Sequence, residues 1–178
     1  MNDYLTNQQR TADYLQKFNR EKTIKFLIKD DHPLILDVGA NVGATLDEFK
    51  GWWPNSIVHC FEPQHECWSE LEQVASKFHE KSVEINKCAL GSAPNDQATF
   101  YSHDITTGQS GFNKINLQSQ DSIHLNSLLN DNPQSLPEYE QSLNKERSVK
   151  IIRLDDYLER LNINRVNLLK IDTQGFEN

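Results

Sequence analysis

Five consecutive residues, Leu34-Ile35-Leu36-Asp37-Val38, are apolar but for one acid, and the run stops at Gly39. A stretch this short and this apolar suits a strand buried on both faces, the situation of a central strand in a parallel sheet. The glycine permits a tight turn, and Thr45 to Lys50 then reads as a helix packing back on the strand. The alternation repeats. Ser56 to Phe61 reads as a second strand, and Trp68 to Phe78 as a second helix with Leu71, Val74, Ala75 and Phe78 on one face. Val83 to Asn86 reads as a third strand. Strand–helix–strand–helix–strand leaves few solutions. The expected fold is α/β, a mostly parallel sheet with right-handed crossovers and flanking helices.

Around this nucleus the pattern is less regular. Residues 3–29 read as helical, with Tyr4, Leu5, Tyr14, Leu15, Phe18, Phe26, Leu27 and Ile28 at three- and four-residue spacings. His32-Pro33 ends that stretch, so 1–33 is expected as a helical segment ahead of a domain over 34–178. Ala98 to Tyr101 and Val149 to Leu154 read as strands, Asp155 to Leu161 as a short helix, and Val166 to Asp172 as the last strand. Between them, Asn, Gln and Ser make up 15 of the 33 residues in 116–148. That composition marks an insertion or lid, with one weak helix around Ile123 to Leu129.

The chain has 178 residues, enough for one domain, and carries 18 Lys and Arg against 26 Asp and Glu, a formal charge of −8. This balance argues against a nucleic-acid or membrane-coating protein. No window approaches the ~18 apolar residues of a membrane span. The opening MNDYLTNQQR lacks the basic and apolar regions of an export signal. Three cysteines (Cys60, Cys67, Cys88) cannot all pair within the chain, so a reducing cytoplasm is the expected setting.

The chemistry concentrates at the first turn. Asp37 precedes Gly39 by two residues, Gly43 opens the helix, and Glu62 ends the second strand. An acid there is placed to take both ribose hydroxyls of an adenosine cofactor. A dinucleotide fold wants G-x-G-x-x-G, whereas the spacing here is G-x-x-x-G behind an acid that would repel a pyrophosphate. An acid there suits a cationic ligand, such as the amino acid end of S-adenosylmethionine. A nucleotide-dependent oxidoreductase using NAD(P) is the second reading, and a strand–turn–helix junction with incidental glycines the plainest.

The residues then reach a family. Leu36-Asp37-Val38-Gly39-Ala40-Asn41-Val42-Gly43, Phe61-Glu62-Pro63-Gln64, Ala89-Leu90-Gly91, Leu154-Asp155-Asp156-Tyr157-Leu158 and the run from Leu168 to Glu177 resemble, in order and spacing, the FkbM-type methyltransferases. The resemblance covers roughly 34–177 apart from the polar insertion. It implies a Rossmann-like class I methyltransferase fold and S-adenosylmethionine as cofactor. The implied reaction is O-methylation of a hydroxyl on a sugar, glycan or polyketide-like small molecule. By position, Gly39, Ala40, Asn41 and Gly43 would line the methionine part of the cofactor, and Asp37 would hold its ammonium, directly or through water. Glu62 would hold the ribose, Pro63 would border the adenine, and Cys88 and Ala89 would contact it. Gln109-Ser110-Gly111-Phe112 resembles the family's serine-containing loop, which brings Ser110 to the site. Gln174 stands where many members have Glu. Three further strands of the family fold would follow Asn178, so the domain is expected to be incomplete at its C-terminus, and a non-catalytic cofactor-binding remnant is a third reading.

Asp172 ends the fourth strand, facing the same crevice as Asp37 and Glu62. It is the first candidate to orient or deprotonate the acceptor hydroxyl, with Glu177 second; simple capping of the following turn is the alternative. Lys170 sits among Leu168, Leu169 and Ile171 and needs a partner if buried. Asp37 or Asp172 is expected to supply it, and snorkelling to water is the alternative.

His59, Cys60, His65 and Cys67 lack a second pair and read as buried thiols and surface imidazoles rather than metal ligands. Trp52-Trp53-Pro54 reads as packing for the first helix, and His103 and Asp104 as solvated loop residues. A bare edge on the last strand predicts self-association, unless residues 97–157 complete the sheet.

Overall fold

A computed structural model describes residues 7–103, 107–116 and 143–173. The helix expected around Ile123 to Leu129, and Asp104, Gln174 and Glu177, lie outside these residues. The elements are α1 (Asn7–Lys17), α2 (Arg20–Ile28), β1 (Leu34–Val38), α3 (Ala44–Trp52), β2 (Ile57–Phe61), α4 (His65–Ala75), β3 (Val83–Asn86), β4 (Ala89–Leu90), β5 (Asn95–Ser102), β6 (Lys145–Ile152), α5 (Leu154–Arg160) and β7 (Leu168–Ile171).

Four strands form a wholly parallel sheet in the order β3-β2-β1-β7. The fully buried Ile35 and Leu36 place β1 at its centre, as its apolar run requires. Alternate residues serve two layers. Ile35, Val58 and Cys60 join Leu46, Phe49, Trp53 and Leu71 of α3 and α4 on one face. Leu36, Val38 and Phe61 meet Cys88 and Tyr157, with α5 behind them, on the other. Trp53 is buried in the first layer, as its packing role predicts, with Trp52 against it.

The described strands between 89 and 152 do not extend the main sheet past β7, so among the described residues the alternative that 97–157 completes it is not seen. Instead β4, β6 and β5 form a separate three-stranded sheet, parallel between β4 and β6 and antiparallel between β6 and β5. Its core is Ala98, Phe100 and Val149. Among the described residues, the outer edge of β7 pairs with no strand. Leu169 and Ile171, the register partners of Leu36 and Val38 on the face that bears α5, stay 44% and 42% exposed.

The single N-terminal helix is two. Asn19 breaks it and accepts a hydrogen bond from the Lys22 amide at 2.8 Å, the geometry of an N-cap for α2. α2 docks Ile24 and Ile28 on the core, with Arg20 paired to Glu48 and lying over Trp52. α4 begins at His65 rather than Trp68. Among the described residues, no helix is long and apolar enough to cross a membrane.

Candidate active site

A crevice opens beyond the carboxyl ends of the parallel strands, where an open α/β sheet takes its ligand. Its walls include Gly39 and Asn41 after β1, Glu62, Pro63 and Gln64 after β2, Ala89 and Leu90 of β4, and Asp172 and Thr173 after β7. The second sheet adds Phe100, and the loop behind β5 adds Thr107, Ser110 and Phe112. Seven of the anticipated residues therefore converge: Gly39, Asn41, Glu62, Pro63, Ala89, Ser110 and Asp172.

Glu62 is almost fully buried, yet both carboxylate oxygens are held in place. Oε2 accepts from the Asn41 amide at 2.7 Å and Oε1 from the Gln64 amide at 2.8 Å. Burial pushes its carboxyl above the ordinary glutamate range, against the pull of those two N–H donors. Each oxygen keeps a second lone pair for a hydroxyl donor.

The turn itself is closed. Gly39 and Ala40 donate their amides to the Phe61 carbonyl at 3.0 and 3.2 Å. Asn41 donates to Glu62, Val42 to the Asn41 side chain at 2.8 Å, and Gly43 to the Ala40 carbonyl at 2.9 Å. All five amides from 39 to 43 are spent within the protein. Gly39 adopts φ +77°, and a Cβ there would lie 2.0 Å from the Asp172 carbonyl oxygen, so no other residue fits. Asn41 is also left-handed, at φ 48°. Its Oδ1 takes the Thr107 hydroxyl at 3.2 Å, which ties the loop behind β5 to the turn.

Five anticipated residues do not line the crevice. Ala40 faces the core, and Gly43 packs under Leu71 and Val74 of α4. Cys88 is buried among Leu36, Val38, Phe61 and Tyr157. Asp37 is fully buried behind the turn, its Oδ1 3.0 Å from Lys170 Nζ, and does not line the crevice. Burial raises the Asp37 carboxyl pKa and Lys170 opposes the shift. The ammonium of Lys170 also donates to the Gly39 carbonyl at 2.9 Å and stands 3.8 Å from Asp172 Oδ2. Lys170 is therefore paired with Asp37, as anticipated, but it does not line the crevice. Asp172 keeps a largely exposed side chain, while its amide donates to the Val38 carbonyl at 3.0 Å.

Two other expectations change. His103 is buried rather than solvated: its amide donates to the Ser110 hydroxyl and its Nδ1 accepts from the Asn144 amide. His59 is half-buried rather than a surface imidazole, with its Nδ1 2.8 Å from the Tyr157 hydroxyl. The three thiols are buried and free, and burial pushes Cys67 up to about 12. Gln64, Thr107 and Phe100 were not anticipated in the crevice. For Gln64 the signal was present, since it completes the Phe61-Glu62-Pro63-Gln64 run.

Strand order, helix layers and crevice define the class: a Rossmann-like α/β protein with an open crevice at the carboxyl edge of its sheet. The chain belongs to the FkbM methyltransferase family, whose domain model, Methyltransferase FkbM domain, matches residues 37–178. It is similar to Methyltransferase 1 of Beauveria bassiana (strain ARSEF 2860), at 28% identity over 149 residues. That match covers 83% of this chain and 56% of the relative, so the chain spans little more than half of that protein's length. A solved structure of a fibrillarin/Nop5p complex overlaps 33% of this chain and 27% of its own, at 14% identity and a TM-score of 0.30.

Proposed function

We propose that this chain binds S-adenosylmethionine and takes part in O-methylation of a hydroxyl on a small acceptor, of sugar, glycan or polyketide-like chemistry. The observation that carries the reading is Glu62. It is a buried carboxylate at the end of β2, fixed by two backbone amides and turned to the crevice, which is what a vicinal ribose diol needs.

The closed turn supports a cofactor without a pyrophosphate. Phosphate binding at a strand–helix turn uses free backbone amides, and those of residues 39–43 are already engaged. This replaces the argument from charge, because Lys170 neutralises Asp37. Glu62 would hold the ribose, and Gly39 and Asn41 would border the methionine part. Pro63, Ala89, Leu90 and Phe112 would enclose the base. When bound, the cofactor supplies an electrophilic methyl on a positively charged sulfur. The Asp172 carboxylate, which lines the crevice, would accept the proton of an acceptor hydroxyl and orient its oxygen. Phe100 and Phe112 would keep water from the reacting groups.

The test is a calorimetric titration with S-adenosylhomocysteine, wild type against Glu62→Ala. Micromolar binding that collapses in a folded variant supports the reading. Binding of NADH in preference to S-adenosylhomocysteine overturns it.

A further inference from the structure

Gln64 lines the crevice two residues past Glu62 and is nearly fully buried. Its backbone is engaged at both ends. The amide donates to Glu62 Oε1, and the carbonyl accepts from the Cys67 amide at 3.1 Å. Its carboxamide is not. Nε2 is buried and has no hydrogen-bond partner among the described residues. Although Gln64 stands at the N-terminus of α4, its side chain caps none of the helix amides.

A buried donor left without an acceptor is a net cost to the folded state, so its presence calls for a reason. The acceptors nearby take other donors. The Glu62 oxygens hold the Asn41 and Gln64 amides, and Asn41 Oδ1 holds the Val42 amide and the Thr107 hydroxyl. The side chains of Phe61, Leu90, Phe100 and Phe112, which also line the crevice, bear no hydrogen-bonding group.

We infer that the Gln64 carboxamide reads the base of the bound nucleoside, taking an exocyclic amine on its oxygen and giving its N–H to a ring nitrogen. A carboxamide matches the adenine edge in this way, and an oxo group in place of the amine presents an acceptor where a donor is needed. The inference rests on the nucleoside reading of the crevice and adds its base specificity.

The experiment titrates wild type and Gln64→Met with S-adenosylhomocysteine and with its inosine counterpart, and compares the melting of both proteins without ligand. Methionine keeps the length of the side chain and removes its polar group. Wild type is expected to prefer the adenine ligand by about tenfold or more, and Gln64→Met to lose about tenfold on that ligand together with the preference. The ligand-free variant is expected to melt at the same temperature or higher, because an unpaired group has been removed. Equal affinity of both proteins for S-adenosylhomocysteine overturns the assignment. Lower ligand-free melting of the variant also overturns it, since the carboxamide would then be structural. A wild type that binds neither nucleoside brings down the cofactor reading itself, a result distinct from both.

Discussion

Asp37 and Lys170 are register partners in adjacent parallel strands, and their side chains meet at 3.0 Å on the helix-covered face of the sheet. The same ammonium reaches the Gly39 carbonyl. One lysine on β7 thus neutralises a buried acid on β1 and fastens the turn that follows it. Lys170→Met leaves Asp37 uncompensated and is expected to cost about 3 kcal/mol or more. The pair Asp37→Leu with Lys170→Met is expected to cost clearly less than the sum of the single changes. Denaturant melts of the four proteins check this, and additivity would contradict the pairing.

Gly39 and Gly43 both have positive φ, but their surroundings differ. An added Cβ at Gly39 meets backbone at 2.0 Å, whereas at Gly43 it meets Leu71 and Val74 side chains beyond 3 Å. Gly39→Ala should destabilise by more than about 3 kcal/mol, and Gly43→Ala by about 1–2 kcal/mol. Thermal melts that rank the two the other way would contradict this geometry.

Glu62 gives a pH dependence of opposite sign for folding and for binding. Its native carboxyl lies above the ordinary glutamate value of 4.5 because of burial. Between the two values the native state holds a proton that the unfolded chain has released. Its contribution to stability is therefore full below the ordinary value and is lost as pH rises through the raised one. A diol ligand instead needs the carboxylate, so affinity for S-adenosylhomocysteine should fall as pH drops through the raised value. Glu62→Gln turns one of the two acceptor oxygens into a donor facing a backbone amide, so it should melt lower, bind more weakly, and lose the pH dependence of binding. Melts and titrations from about pH 5 to about pH 8 check both signs.

Tyr157 provides a contrast from outside the crevice. Its hydroxyl meets His59 Nδ1 at 2.8 Å and accepts from Asn86 Nδ2 at 3.1 Å. Tyr157→Phe should cost about 1–2 kcal/mol of stability and leave the affinity for S-adenosylhomocysteine unchanged. A tenfold loss of affinity would show that this network reaches the site.

The parallel nucleus was legible because buried strands write themselves as short apolar runs, and Leu34–Val38 and Ile57–Phe61 fall where those runs lie. The convergence of Glu62 and Asp172 was legible too, since both end strands of one sheet. Orientation at the turn was not. Ala40, Gly43 and Cys88 belong to motif segments, but which way a residue faces depends on packing partners far along the chain, such as Leu71 for Gly43 and Tyr157 for Cys88. The second sheet was hidden for the same reason. β5 and β6 pair across a long polar segment, and nothing local in Ala98–Tyr101 states that its partner is Lys145–Val149 rather than the edge of β7.

The contact of Gly39 with the Asp172 carbonyl has a mechanical meaning. The backbone of the first turn and the backbone leaving β7 touch with no side chain between them, so their separation is set by hard-core repulsion. No rotamer change can alter it. In the proposed transfer, which depends on alignment to a fraction of an ångström, this contact would act as a fixed stop between the side of the crevice that bears Glu62 and the side that bears Asp172. Changes in acceptor preference would then come from the walls further out, while the spacing at the centre stays the same.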